Sequence, residues 1–195
     1  MPVLSAYAQP FSIGIMGGAG LTQDFQNFNL SPNETPPDYP VRIVGSSIPQ
    51  RWIAGATIEA RLPLHLSVEA DGLYHELRFK TTFQSGQTPP DWTQVVAQHV
   101  VTWEVPVLLK YRFQLPLIKP FIDAGPVFRD LNNLSHTNPS NHGFAAGVGV
   151  EAHLWKLRIA PQFRYLRWAR DQNVPRLSMT TVPDQIEFLA AITFP

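Results

Sequence analysis

The 195 residues hold 15 basic and 15 acidic side chains, so the formal charge is zero and no electrostatic footprint marks a nucleic-acid or anionic-surface binder. Nineteen Pro and 12 Gly weigh against a helical bundle, and the absence of Cys excludes disulfides, thiolate nucleophiles and Cys-ligated metals. The length suits one domain, and a charged fraction of 15% is thin for a fully solvated exterior.

Near the start, Ala6-Tyr7-Ala8 before Gln9 has the small-residue spacing that signal peptidase accepts, so residues 1–8 read as a signal-peptide remnant and 9–195 as the domain. The longest stretch without polar side chains, Ile13 to Leu21, falls far short of the roughly 18 apolar residues of a spanning helix. From there on apolar residues alternate with polar or small ones, the two-residue period of strands with two unlike faces. Eight strands are predicted in chain order: Phe11–Thr22, Gln50–Arg61, Leu66–Lys80, Val100–Gln114, Lys119–Leu131, Gly143–His153, Leu157–Trp168 and Gln185–Phe194. Connections after the even-numbered strands are short, as in Leu62-Pro63-Leu64-His65, whereas those after the odd-numbered ones are long and rich in Pro, Asn, Ser and Gly. Alternating short turns and long loops on an even number of strands predict an all-β, eight-stranded antiparallel up-and-down barrel.

Each strand has one apolar face. In Trp103–Phe113 it is Trp103, Val105, Val107, Leu109, Tyr111 and Phe113, set against Glu104, Lys110 and Arg112. The polar faces together hold Glu59, Arg61, Glu69, Asp71, Glu104, Lys110, Arg112, Asp123, Glu151, His153, Arg158, Arg164 and Glu187. A soluble barrel turns these charges outward, and an outer-membrane barrel turns them inward; periodicity does not choose. Aromatic placement favours the membrane form. Phe11, Phe113, Phe121 and Phe194 are assigned to a belt at the short-turn end, and Trp52, Trp103, Phe128 and Tyr165 to one at the long-loop end. Ten residues from Trp103 to Phe113 give about 33 Å of strand, which a tilt of roughly 40° projects to about 25 Å, the height of a transmembrane barrel's apolar band.

The strand Glu104-Val105-Pro106-Val107-Leu108-Leu109-Lys110-Tyr111-Arg112-Phe113, a short turn, and then Lys119-Pro120-Phe121-Ile122-Asp123-Ala124-Gly125-Pro126 carry a resemblance. The chain resembles the bacterial outer-membrane β-barrel domain family, the PorT-like group of small barrels with OmpA/OmpX-like architecture. That resemblance implies a transmembrane barrel in the bacterial outer membrane, in contact with its lipid. It also implies that the barrel-assembly machinery reads an aromatic on the terminal strand, the role of Phe194, here followed by Pro195.

Other motifs have plainer explanations. Gly14, Gly17, Gly18 and Gly20 lack the following helix and the Lys-Ser/Thr of a phosphate loop, so they read as small residues on a crowded strand. The six His, at 65, 75, 99, 136, 142 and 153, do not show zinc-site spacing, and no metal or cofactor is expected. Ser135-His136 lies in a loop and would need a third group to orient it as a catalytic pair. The lumen of an eight-stranded barrel is barely wide enough for side chains, so Glu59, Glu69, Glu104 and Glu151 are expected to pair with Arg61, Lys110, Arg112 and Arg158 as a plug. The sequence therefore predicts a non-enzymatic, monomeric outer-membrane barrel whose long loops serve a structural or surface-interaction role, with Gln23 to Pro49 the foremost contact loop for an envelope or extracellular partner. A soluble lipocalin-like binder of an apolar ligand and a narrow solute pore are the alternatives.

Overall fold

The two-residue alternation organises ten strands in a computed structural model that describes residues 11–31, 41–48, 51–85, 92–116, 118–131, 140–154, 157–171 and 180–194. They are β1 (Phe11–Gly20), β2 (Phe28–Leu30), β3 (Val41–Ile48), β4 (Trp52–Arg61), β5 (Leu66–Ser85), β6 (Thr93–Arg112), β7 (Lys119–Leu131), β8 (His142–Leu154), β9 (Leu157–Trp168) and β10 (Asp184–Phe194). No helix occurs among the described residues. The expected signal-peptide remnant and the Ser135-His136 pair lie outside them.

β1 and β10 pair with each other, β5 pairs with both β4 and β6, and the ladder β4-β1-β10-β9-β8-β7-β6-β5 closes on itself. The result is the predicted eight-stranded antiparallel barrel. Alternation then does what a closed sheet requires: every strand sends one face in and the other out. On β6, Thr102, Glu104, Pro106, Leu108, Lys110 and Arg112 are buried, while Val101, Trp103, Val105, Val107, Leu109 and Tyr111 are exposed. The apolar faces point outward on all eight strands, the reverse of a lipocalin-like arrangement. Pro106 sits in this closed sheet without an N–H to give, and the β5–β6 register skips from Ala70↔Val107 to Leu73↔Glu104 around it.

Two expectations need correction. The segment from Gln23 to Pro49 is not a loop throughout. Val41-Arg42-Ile43-Val44 and its continuation form β3, and Phe28–Leu30 form β2 beside it. They have somewhere to pair because β5 runs to Ser85 and β6 begins at Thr93, both well past the predicted ends. β4 takes Ser67 to His75 of β5, and β3 takes Arg78 to Ser85. A four-stranded sheet, β2-β3-β5-β6, thus stands on the long-loop end of the barrel. The second correction concerns Phe121. It is 1% exposed and belongs to the interior, because it shares the face of Asp123, two residues on. Its ring lies under the Lys110 ammonium, 4.4 Å from ring centre to Nζ, and fills space that Gly149 opposite leaves free. A Cβ at Gly149 would strike that ring.

The glycines of the first strand lie within β1, where a Cβ on Gly14 or Gly18 would run into the backbone of β10. At the short-turn end β4 and β5 are joined through Leu64 and His65, both with φ of 64°, and Leu66 N–H donates to the Pro63 carbonyl at 3.4 Å. Two left-handed central residues are the pattern of a type I′ turn, which suits the right-handed twist of the flanking strands.

Candidate functional site

Among the described residues, the barrel interior gathers ionisable side chains from many strands. Near the short-turn end, Arg112 of β6 is the hub. Its guanidinium lies 2.6 Å from Glu59 of β4 and 2.8 Å from Glu151 of β8, and it donates to the Ser67 hydroxyl at 2.6 Å. Arg158 of β9 stands by the same two carboxylates at 3.6 and 3.9 Å. One layer up, Lys110 is bonded to Glu69, and Arg164, fully buried, reaches Asp71 at 2.7 Å and Glu69 at 3.7 Å. The Gln162 amide, oriented to match its neighbours, gives a hydrogen bond to Asp123 at 3.1 Å and takes one from Arg164 at 3.0 Å. Glu187 and Glu104 project into the layer above. The physical logic is solvation by proxy: a charge withdrawn from water costs several kcal/mol unless partners replace the water.

Of the residues singled out from sequence, Glu59, Glu69, Asp71, Glu104, Lys110, Arg112, Asp123, Glu151, Arg158, Arg164 and Glu187 are all buried in this interior. Arg61 is not. It is half-buried at the short-turn mouth, lining a depression of about 360 Å³ with His65, Gln114 and Lys119, and no ion pair holds it among the described residues. The expected Glu–Arg61 pair is absent there because Arg112 and Arg158 already occupy both carboxylates.

Sequence reasoning missed the layer nearest the long-loop end. His75 of β5 lies 3.6 Å from Glu104 and 3.9 Å from Asp24, which the chain after β1 delivers into the barrel mouth. That segment is stitched down: Gln26 N–H donates to Thr180 O at 2.9 Å, and Val182 N–H donates to Asp24 O at 2.9 Å. Burial pushes the Asp24 carboxyl up to about 6, although nearby His75 and Arg129 pull it down. Arg129 stacks 4.1 Å over Trp168 and donates to Ser140 O and Thr181 Oγ1. His75 and Arg129 were legible in principle, since each shares strand parity with an interior acid, Asp71 and Asp123. Among the described residues no group of three His, Asp or Glu side chains is arranged to hold a metal ion.

The outer wall is a continuous apolar surface. Phe11, Phe113 and Phe194 lie exposed at its short-turn end, and Trp52, Trp103, Phe128 and Tyr165 at its long-loop end. At the latter end Trp52 stacks on Tyr74 at 5.3 Å, and Tyr74 meets Trp103 edge-on at 5.7 Å, so three adjacent strands carry one aromatic rim. The Tyr165 hydroxyl and Arg167 both bond Asp184 on the exterior above it. No family model matches the chain, and no curated protein matches it.

Proposed function

We propose that the protein is an integral outer-membrane β-barrel, non-enzymatic and monomeric, inserted by the barrel-assembly machinery and resembling the PorT-like small barrels. Its lumen is closed, and its extracellular sheet serves a structural or surface-interaction role. The observation that carries this reading is the pairing of an apolar, aromatic-rimmed exterior with an interior lined by acidic and basic side chains. Only lipid makes such an exterior favourable, and only a closed sheet satisfies every backbone group while crossing it. The interior supports a plug more than a pore: Glu59, Arg112, Glu151 and Arg158 bridge the lumen from four different strands. Arg112, Arg158, Lys110 and Arg164 are engaged with Glu59, Glu151, Glu69 and Asp71, which supports a structural network over a catalytic one.

The test is refolding of the chain in detergent micelles, followed by gel mobility with and without boiling, circular dichroism, and conductance in planar bilayers. The expected result is a β spectrum that needs detergent, a heat-dependent mobility shift and no steady conductance. A monomeric β protein that stays soluble without detergent overturns the membrane reading, and a large steady conductance overturns the plug.

A further inference from the structure

We propose that the edge of β6 from Thr93 to His99 accepts an extended, acid-bearing segment of a second polypeptide as an added strand. The inference rests on the outer-membrane reading, which puts this half of β6 beyond the apolar band and outside the lipid.

Hydrogen-bond parity fixes which backbone groups are on offer. Ser85 N–H donates to Trp92 O at 3.2 Å and Arg112 N–H to His65 O at 3.1 Å, at the two ends of one β5–β6 register. Even-numbered β6 residues therefore turn their N–H and C=O toward β5, and odd-numbered ones turn theirs the other way. Phe113 N–H, which donates to Pro120 O at 2.8 Å, agrees. From Arg112 up to Thr102 that other side is occupied by β7, and the register ends at Thr102↔Leu131. Above it, the N–H and C=O groups of Thr93, Val95, Ala97 and His99 face a side on which no described residue pairs with them.

Edges of this kind are normally guarded by Pro, charge, a bulge or brevity. The opposite edge of the same sheet, β2, is three residues long. By contrast Thr93-Gln94-Val95-Val96-Ala97-Gln98-His99 is long and regular, with neither Pro nor Lys, Arg, Asp or Glu, and all but Val96 are exposed. A row of backbone donors and acceptors is matched by another strand and by nothing in a lipid. The chemistry of that strand follows from the neighbours. On the outward face Arg78 stands opposite His99, and Lys80 stands opposite Ala97. The small Ala97 lets the exposed Lys80 reach across β6 to the position an added strand would occupy, so acidic side chains there would be favoured. Glu76, the acid nearby, is already held by Arg78 at 3.0 Å. A second copy in the same bilayer suits the edge poorly. Strands tilted by about 40° cross at about 80° across a twofold axis along the membrane normal, too steep to share a ladder.

The experiment uses the full chain folded in zwitterionic micelles and fluorescence anisotropy with two labelled peptides: one alternates Glu with Val or Thr, and its twin carries Lys in place of Glu. The Glu peptide is expected to bind at least about tenfold more tightly than its twin, and Lys80→Glu to reverse that preference. Ala97→Pro deletes one N–H on the open side and spares every bond to β5, so it is expected to weaken the Glu peptide at least about tenfold with the gel shift intact. Thr93→Pro, of the same parity and nearer the hairpin tip, serves if that variant fails to fold. A folded barrel that binds neither peptide, or whose binding survives both proline variants, overturns the proposal. Equal binding of the twins overturns the acidic partner, and self-association abolished by Ala97→Pro overturns the proposal in favour of a second copy. Failure of the membrane reading is separate, since it shows as a chain that folds without micelles.

Discussion

The lower and upper halves of β6 share one strand and one alternation but not one environment. From Thr102 to Arg112 the strand is paired on both sides and separates a charged lumen from an apolar exterior. From Thr93 to His99 it is paired, among the described residues, on one side only, and its two faces carry Thr, Gln, Val, Ala and His. Where a strand is enclosed, each side chain is chosen by the face it occupies; where it stands free, its backbone becomes the feature that matters. The two halves should therefore answer the same insult differently.

The largest difference is expected inside the lower half. Arg112→Ala removes the group that lies 2.6 Å from Glu59 and 2.8 Å from Glu151, leaving two buried carboxylates to a more distant Arg158. Loss of one partner from a buried ion network costs about 3–5 kcal/mol, to be read from denaturant unfolding in micelles. Combining Arg112→Met with Glu151→Gln should recover most of that loss, because Glu59 and Arg158 then remain as a charge-balanced pair. If the single variant is as stable as the parent, the lumen is hydrated and the plug is wrong.

A charge on the outward face sharpens the comparison. Leu109, 52% exposed, lies on the apolar wall, so Leu109→Arg is expected to cost about 2–4 kcal/mol in a lipid bilayer. Val95 has the same orientation and nearly the same exposure, 51%, but stands above the aromatic rim. There Val95→Arg should change stability by less than about 0.5 kcal/mol. Equal costs at the two positions would mean that the apolar band does not end at the rim.

Much of this contrast is written in the alternation, and the parts that are not have identifiable causes. Trp103 to Phe113 declared its two faces because each alternate residue is apolar and the others include Glu104, Lys110 and Arg112. Phe121 reads as a belt residue by its aromatic character, but its parity with Asp123 places it inside, and parity governs in a closed sheet. Thr81, Thr82, Gln84 and Gln94 are too polar to extend an apolar pattern, so the upward growth of β5 and β6 went unseen. β3 was hidden between prolines although Val41-Arg42-Ile43 alternates. The Asp24–His75 contact left no trace at all, since it joins residues from a connection and a strand that only the folded barrel brings together.

That contact links the two regions, and pH should tune it. Burial raises the Asp24 carboxyl from 3.8 to about 6, so the docked segment binds a proton more tightly than the undocked one. The stabilisation is complete below pH 4 and is lost as pH rises through 6, by roughly 2–3 kcal/mol in all. Amide exchange of Gln26, whose N–H donates to Thr180 O, should slow on acidification beyond the intrinsic pH effect on exchange, and Asp24→Asn should abolish that excess. An excess that persists in the Asn variant would mean that Asp24 is not its source.

The smallest expected effect lies at the other end of the barrel, where the turn between β4 and β5 needs no partner to define it. Leu64 is 79% exposed and holds φ of 64°, a conformation in which an L side chain with a Cβ is strained. Asn tolerates that region better, so Leu64→Asn should stabilise the barrel by about 0.5–1 kcal/mol without touching lumen or sheet. His65 is the poorer site for the same change despite its matching φ, because its ring bonds Gln114 at 2.9 Å across the mouth and a replacement would lose that bond. A neutral or unfavourable Leu64→Asn would mean that Leu64 makes up its backbone strain elsewhere, and under the proposed membrane reading contact with the lipid interface at the short-turn end would supply it.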